Sequence, residues 1–423
     1  MRVVLANRYF YPDQSATSRM VTSLAHELVR EGVETIVLAS RSYHECGKGS
    51  LPARETIDGI EVHRIWTTNY GRSSLAGRAT DYTSFHLSAA AWFSANVQKD
   101  DICVVCTDPP MLSVTAALPL RVRGGHLVNW VMDLFPETAM ELGLLKHSTL
   151  SGRVALALRN WSMRRSALTI CPIERMARFL SSKGIPADRL AVVHHWADKN
   201  EILPVDPTVN SLRHAWGLTD KFVIGYSGNF GRAHEFATVL DAAEQLQEYP
   251  DVAFLMIGEG QQRGYVEREV RRRQLTNVIM KPFQPVEHLS ESLGAADVHL
   301  VSLKPELEHC IVPSKFYGVL AAARPTIFIG DPEGEIANVV RDFHCGLSLS
   351  PGEVETLVSS VLLLRNSQVN RNMMGNNARY LMETAYSREF GAAVWQSAIG
   401  RLVRKDEIVP MPVLDRQFQA EKM

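Results

Sequence analysis

The sequence predicts an α/β protein made of two doubly wound, Rossmann-like domains facing each other across a cleft, with a C-terminal helix that crosses back to the first domain. Three observations predict it. Buried β-rich runs alternate with helical patterns, the signature of a mostly parallel sheet. A polar segment from Lys199 to Asp220, carrying Pro204 and Pro207, interrupts that rhythm, which then restarts. A chain of 423 residues is long for one α/β domain and natural for two.

The first series opens with RVVLANRYF (2–10). In the next segment Val21, Leu24, Ala25 and Leu28 recur at helical spacing, and Gly32 closes the helix. Strands are expected at 34–40, 60–66, 101–108, 126–133, 168–173 and 190–198, with a long helix over 84–97. After the linker, strands are expected at 221–228, 252–260, 277–283, 296–303 and 325–330, with a helix over 234–246. The stretch 373–403 reads as helical with a break near Tyr386. The domains are placed at 1–200 and 205–385, the returning helix at 386–405 and a frayed tail at 406–423.

Composition excludes several classes. Hydrophobic content of 46% and charged content of 22% are ordinary globular values, and a net charge of −1 gives no reason to expect nucleic acid. The charge is nevertheless uneven. Residues 1–200 hold 23 Lys and Arg against 18 Asp and Glu, a net of +5, and residues 201–423 hold 22 against 28, a net of −6. The first half is therefore the one to face something anionic. Cys103 and Cys106 form a CVVC pair inside an expected strand, on opposite faces, rather than at a helix start as a redox motif would. No second ligand pair follows at zinc-site spacing. Met1 leads straight into a strand and no apolar run reaches membrane-spanning length, so a cytoplasmic protein is expected.

In open parallel sheets, ligands sit beyond the carboxyl ends of the strands. Three loops of the second series have phosphate-binding features there. GNFGRAHEF (228–236) offers Gly228 and Gly231 for close backbone approach and Arg232 as a fixed cation. IGEGQQ (257–262) sets Glu259 between Gly258 and Gly260, where a carboxylate suits ribose hydroxyls. HCIVPSKFYGVLAAARPTIFIG (309–330) places Pro313 at the first position of a helix and Lys315 one turn in. The amides of Cys310 to Lys315 are expected to face an anion with help from the helix dipole. Each loop alone is also compatible with an ordinary strand–helix turn.

Taken together, YSGNFGRAHEFATVLDAAEQL, IGEG, AADVHLVSL and PSKFYGVLAAARPTI resemble a family-4 glycosyltransferase of the GT-B fold. NWVMDLFPETAMELGLL (129–145) and HHWAD (194–198) match loops of that family's N-terminal domain, and the resemblance spans about residues 1–405. The likeness is strongest to transferases of bacterial surface polysaccharides, including those of colanic acid and O-antigen. It implies retaining transfer of a hexose-type sugar from a nucleotide sugar to a lipid-linked saccharide. It also implies the acceptor on the first domain, the nucleotide on the second, and no metal or other cofactor. The donor contacts implied are Gly228, Asn229, Gly231, His234, Gly258, Glu259, Gly260, Phe283, Val312, Pro313, Ser314 and Tyr317, with Asp133, Arg232 and Lys315 as the catalytic set. The acceptor would meet Tyr11, Ser15, Glu137, His195 and Trp196.

The sequence departs from the family pattern at several positions. The two glutamates common around the third loop fall on Cys310 and Gly318, with Glu306 and Glu308 upstream as substitutes. The usual Arg and Lys of the first loop fall on Asn229 and His234, and a common histidine falls on Met132 beside Asp133. A nucleotide-sugar 2-epimerase, which shares the architecture, is one competing reading, and an inactive subunit of a transferase complex, which the missing glutamates favour, is another. Membrane contact is a separate expectation. SGRVALALRNWSMRRSA (151–167) carries Arg153, Arg159, Arg164 and Arg165 among apolar residues, and the earlier helix carries Phe85, Leu87, Trp92 and Phe93. Basic amphipathic helices of this kind lie on anionic membrane surfaces.

Overall fold

The structure is a computed structural model and describes residues 1–44, 49–71 and 74–403. Cys46 and the expected tail 406–423 lie outside the described residues. The chain divides into two compact units. One comprises Met1–His194 together with the chain from Arg388, and the other comprises His195–Ser387.

The first unit holds an eight-stranded sheet in the order β3-β4-β2-β1-β5-β6-β7-β8. Its strands are β1 (Arg2–Ala6), β2 (Glu34–Ser40), β3 (Arg54–Ile57), β4 (Ile60–Ile65), β5 (Ile102–Cys106), β6 (His126–Trp130), β7 (Leu168–Cys171) and β8 (Leu190–Val192). All pairs are parallel except β3 with β4. The central strands are buried throughout, as the five residues ICVVC of β5 are, because helices cover both faces. Cys103 and Cys106 are buried and unbridged, and burial pushes their thiols up. Helix Arg388–Val403 belongs to this unit. Its Trp395 packs edge-on against Trp130 of β6, ring centroids 4.7 Å apart, and Arg388 meets Glu27 at 2.9 Å.

The second unit holds a six-stranded, all-parallel sheet in the order β11-β10-β9-β12-β13-β14. Its strands are β9 (Phe222–Ser227), β10 (Val252–Ile257), β11 (Val278–Lys281), β12 (Val298–Ser302), β13 (Thr326–Ile329) and β14 (Gly346–Leu349). The strand order reverses between β1 and β5 in one sheet and between β9 and β12 in the other. Crevices for ligands form at such switch points.

Several sequence expectations change here. Strands β3 and β14 were not anticipated: both are short and partly exposed, without the apolar run that marks a buried strand. The expected linker is not a free connection, because residues 207–209 form a turn of 3-10 helix and Ser211–Ala215 an α-helix. Asn210 and Arg213 are buried there and hydrogen-bond to Glu291 O, Ala295 O and Leu218 O. Phe85, Trp92 and Phe93 of helix Leu75–Asn96 are core residues, and only Leu87 of that expected lipid-facing group is exposed. Arg159 is also buried, paired with Glu137.

Candidate functional site

At the switch point of the second unit, the loops after β9 and β12 lie side by side. Strand β9 brings in Tyr226, the loop after it brings in His234, and the segment after β12 brings in Lys315. The Lys315 ammonium donates to the Tyr226 hydroxyl, lies 3.9 Å from the centre of its ring and is 3.2 Å from His234 Nε2. Tyr226 in turn donates to Asn229 O at 2.7 Å. His234 Nδ1 is 2.6 Å from Ser302 O. A carbonyl only accepts, so Nδ1 carries the proton and Nε2 offers its lone pair to Lys315. Burial, and then the Lys315 charge, push His234 down to about 3, so the ring is neutral near neutral pH. Burial raises the Tyr226 phenol well above its usual value and lowers the Lys315 ammonium well below its own.

Among the described residues Lys315 has no carboxylate partner. Both groups that hold it are neutral. Desolvation disfavours a lone ammonium there, and an anion beside it would favour the charged form of Lys315. Tyr226 was not identified from the sequence. Its position inside an apolar strand reads as core, and its hydroxyl acquires a role only because Lys315 arrives from 89 residues away.

The glycine loops pack on one another. Gly228, Gly258 and Gly260 have φ of 147°, 139° and 146°, a region that favours glycine. A Cβ at Gly258 would lie 1.9 Å from Gly228 O, and one at Gly228 would lie 3.1 Å from Lys315 Cε. The glycines thus let the two loops touch and let the lysine stem pass. Gly258→Ala is expected to cost at least ~2 kcal/mol, since the obstructing atom is backbone. A thermal melt checks this, and an unchanged Tm would contradict the packing account.

The other expected donor residues are placed as follows. Arg232 is exposed and makes no hydrogen bond or ion pair among the described residues. Glu259 is engaged by Arg263 at 2.6 Å, so its carboxylate is shared rather than open. Phe283 is exposed just after β11. Val312, Pro313 and Tyr317 are buried and Ser314 is exposed. Pro313 does not open the helix. Ser314 stands at the N-cap position without a side-chain capping bond, and the helix runs for only seven residues, Lys315–Ala321. A dipole that short contributes little. The amides of Cys310 and Ile311 are taken by Leu307 O, at 2.8 and 3.1 Å, so these two of the expected anion-facing amides are not available.

The substituted acids also find their places. A Cβ at Gly318 would contact methyl groups of Leu293 and Ile202, at 3.7 and 3.8 Å. A carboxylate starting there would emerge against apolar surface. Glu308 is buried against Gly334, and Glu306 is exposed on the turn Pro305–Leu307, so neither reproduces the missing glutamate positions.

In the first unit, Asp133 follows β6, and its amide meets Thr107 Oγ1 at 3.3 Å. Burial and the like charge of Asp108 push its carboxyl up to about 6, and solvent at its exposed edge moderates both effects. Asp133 lines a cavity of about 20 Å³ with Thr107, Asn129 and Arg159, room for about one water molecule. Tyr11 is exposed, and Ser15 stands at the N-cap position of helix Ala16–Arg30 without a side-chain capping bond. Glu137 is not open to a substrate hydroxyl. It is buried and ion-paired with Arg159. His195 and Trp196 are buried and belong to the second unit, where His195 packs near the Tyr317 ring, 6.1 Å between centroids. Arg8, just past β1, escaped the sequence reading. Its guanidinium is buried between the rings of Tyr9 and Tyr82 and reaches Asp81 at 3.3 Å.

Comparison with known proteins bears on the family and the fold. The "Glycosyl transferase 4-like domain" matches residues 15–196, and "Glycosyl transferases group 1" matches residues 210–380. The probable glycosyltransferase WbjE of Pseudomonas aeruginosa is 22% identical over 96% of this chain and 100% of its own. The putative colanic acid biosynthesis glycosyl transferase WcaI of Escherichia coli is 28% identical over 57% of this chain and 60% of its own. Among solved structures, sucrose-phosphate synthase of Thermosynechococcus elongatus superposes with a TM-score of 0.75 at 14% identity, covering 96% of this chain and 98% of that one. HepE of Anabaena, in complex with UDP and glucose, superposes with a TM-score of 0.71 at 15% identity, covering 95% and 99%. With both halves matched in order and the two sheets folded as described, the chain belongs to the family-4 glycosyltransferases of GT-B fold and is a nucleotide-sugar-dependent enzyme.

Proposed function

We propose that this enzyme moves a hexose from a nucleoside diphosphate sugar, with retention of configuration, to a lipid-linked saccharide during synthesis of a surface polysaccharide. The observation that carries the donor half is the Lys315 ammonium, held by neutral Tyr226 and His234 with no carboxylate partner among the described residues. A diphosphate is the anion that fits such a cation at a switch-point crevice. HepE, a structural neighbour, binds UDP-glucose, and WcaI, a relative, is named for colanic acid. Both matched families and both relatives are transferases, which speaks against the epimerase and inactive-subunit readings.

In the proposed reaction the acceptor oxygen bonds to the anomeric carbon as the bond from that carbon to the diphosphate oxygen breaks. The acceptor proton passes to the leaving diphosphate. No protein nucleophile is required. The protein's task is to hold the diphosphate and stabilise its growing charge. Lys315 and Arg232 meet that charge, and Asp133, Tyr11 and Ser15 of the first unit serve the acceptor. The positive first half works at the cytoplasmic face of the membrane, where a lipid-linked acceptor resides.

Hydrogen exchange with and without UDP, in EDTA, tests the reading. Protection is expected in 226–236, 257–261 and 309–317 of the full chain. Protection confined to the first unit, or dependence on a divalent cation, would contradict it.

A further inference from the structure

Helix Leu150–Arg165 is amphipathic in the inverted sense. It turns Gly152, Arg159, Ser162 and Met163 inward and leaves Leu150, Val154, Leu158 and Trp161 exposed. Its neighbour, helix Leu112–Arg123, is tied to it by a 2.9 Å bond between Ser113 and Ser162 and exposes Leu118 and Val122, at 65% and 75%. Helix Leu75–Asn96 packs on the other side of Leu112–Arg123, linked through His86 to Thr115 at 2.7 Å, and adds exposed Leu87. Exposed apolar side chains scattered singly need no explanation, but a run of them across adjacent helices marks a contact surface.

The charges on these helices have one sign. Arg121, Arg153 and Arg165 are exposed, and Arg165 lies over the Trp161 ring, 5.0 Å from its centre. Helices Leu112–Arg123 and Leu150–Arg165 contain no Asp or Glu, and the only one on Leu75–Asn96, Asp81, is buried with Arg8. An apolar face bordered by arginines and free of exposed acids complements an anionic lipid surface. No described helix is long and apolar enough to cross a membrane, so the contact would be peripheral.

We propose that the exposed faces of these three helices form a lipid-docking platform, with Leu118, Val122, Leu158 and Trp161 entering the interface and Arg121, Arg153 and Arg165 meeting anionic headgroups. It deepens the reading of a lipid-linked acceptor and rests on it only for its purpose. The platform excludes Arg159, which is buried, and Arg164, which is occupied by the carbonyls of Lys183 and Gly184.

Sedimentation with vesicles of equal parts phosphatidylglycerol and phosphatidylcholine tests it. The wild type is expected to bind these vesicles, to ignore pure phosphatidylcholine, and to release as salt rises from ~0.05 to ~0.5 M. Leu158→Gln/Trp161→Gln and Arg121→Gln/Arg153→Gln should each weaken binding at least ~tenfold. All these residues are exposed, so the fold should survive, and UDP protection of the second unit should be unchanged in both variants. Failure of the wild type to bind, equal binding to neutral vesicles, or equal binding by the variants would overturn the proposal. So would a concentration-dependent dimer in light scattering that either double variant abolishes, which would assign the face to a second copy. Because vesicle binding needs no donor and UDP protection needs no lipid, failure of the platform and failure of the transferase reading are distinguishable.

Discussion

Lys315→Met is expected to lower kcat/KM about a hundredfold while raising the melting temperature of the ligand-free enzyme. The stem of the side chain is preserved, so its packing over Gly228 is largely kept. What is lost is a cation whose surroundings compensate it poorly, which destabilises the empty protein and stabilises the bound diphosphate. Two factors of ten correspond to ~2.7 kcal/mol of transition-state stabilisation, in the range of one preorganised charge contact. Gain of stability with loss of function separates this role from a structural one. Arg232→Ala should also lower turnover, by about tenfold, with little effect on stability, because Arg232 is exposed. Unchanged kcat/KM in Lys315→Met would dismiss the assignment.

The same lysine sets a pH signature. Its folded-state value lies well below the usual 10.5. Below the folded value the ammonium is charged in both states, and the cost of burying it is fully present. As pH rises from the folded value toward the unfolded one, that cost is relieved, so the ligand-free protein gains stability over this window. UDP affinity runs the other way, since the diphosphate binds the charged form and is held less well as the ammonium loses its proton. Lys315→Arg should flatten the affinity profile, because a guanidinium keeps its charge. Neither His234 nor Tyr226 can account for the trend, since one stays neutral above about 3 and the other is raised well above its usual value. Calorimetric titration of UDP at pH values stepped down from 10.5 across the range in which the protein stays folded reads it directly. Equal slopes for wild type and Lys315→Arg would assign the effect elsewhere.

Arg159→Met is expected to cost about 3–5 kcal/mol, the largest stability loss foreseen here. Arg159 and Glu137 are each about 3% exposed, and removing the arginine leaves a buried carboxylate without its counter-charge. Burial already raises Glu137 despite the opposing Arg159, so the lone carboxyl should remain protonated further above the usual range. The double variant Glu137→Gln/Arg159→Met should recover most of the loss. Urea denaturation of the single and double variants measures this coupling. A single variant within ~1 kcal/mol of wild type would mean that the pair is solvated and that Glu137 remains open to an acceptor.

The two sheets were legible because parallel strands covered on both faces are written as apolar runs, and ICVVC and VAFLMI admit little else. Glycine-bearing loops at strand ends were legible for the same reason: no other residue fits the backbone. Strand β3, with its alternating exposure at an edge, and β14, reading GLSL, carry no such mark. The segment 199–220 looked like a linker because its residues are polar. Asn210 and Arg213 are nevertheless buried, since Glu291, Ala295 and Leu218 supply the hydrogen bonds that allow it. Polarity in sequence does not reveal partners 80 residues away.

The site divides along the same line. The sequence by itself determined that Asp133 and the glycines of 228–231 and 258–260 stand just past strands, because strand periodicity fixes where a strand stops, and that Lys315 stands near the start of a helix. It also determined that helix 150–165 mixes arginine with apolar residues. Only the tertiary structure decided that the arginine at 159 points inward to Glu137 while Leu158 and Trp161 point out, and that Lys315 rests on a neutral histidine and a tyrosine. Pairing, protonation and available charge depend on distances between side chains far apart in the chain and on how much water remains between them. Local pattern encodes neither quantity.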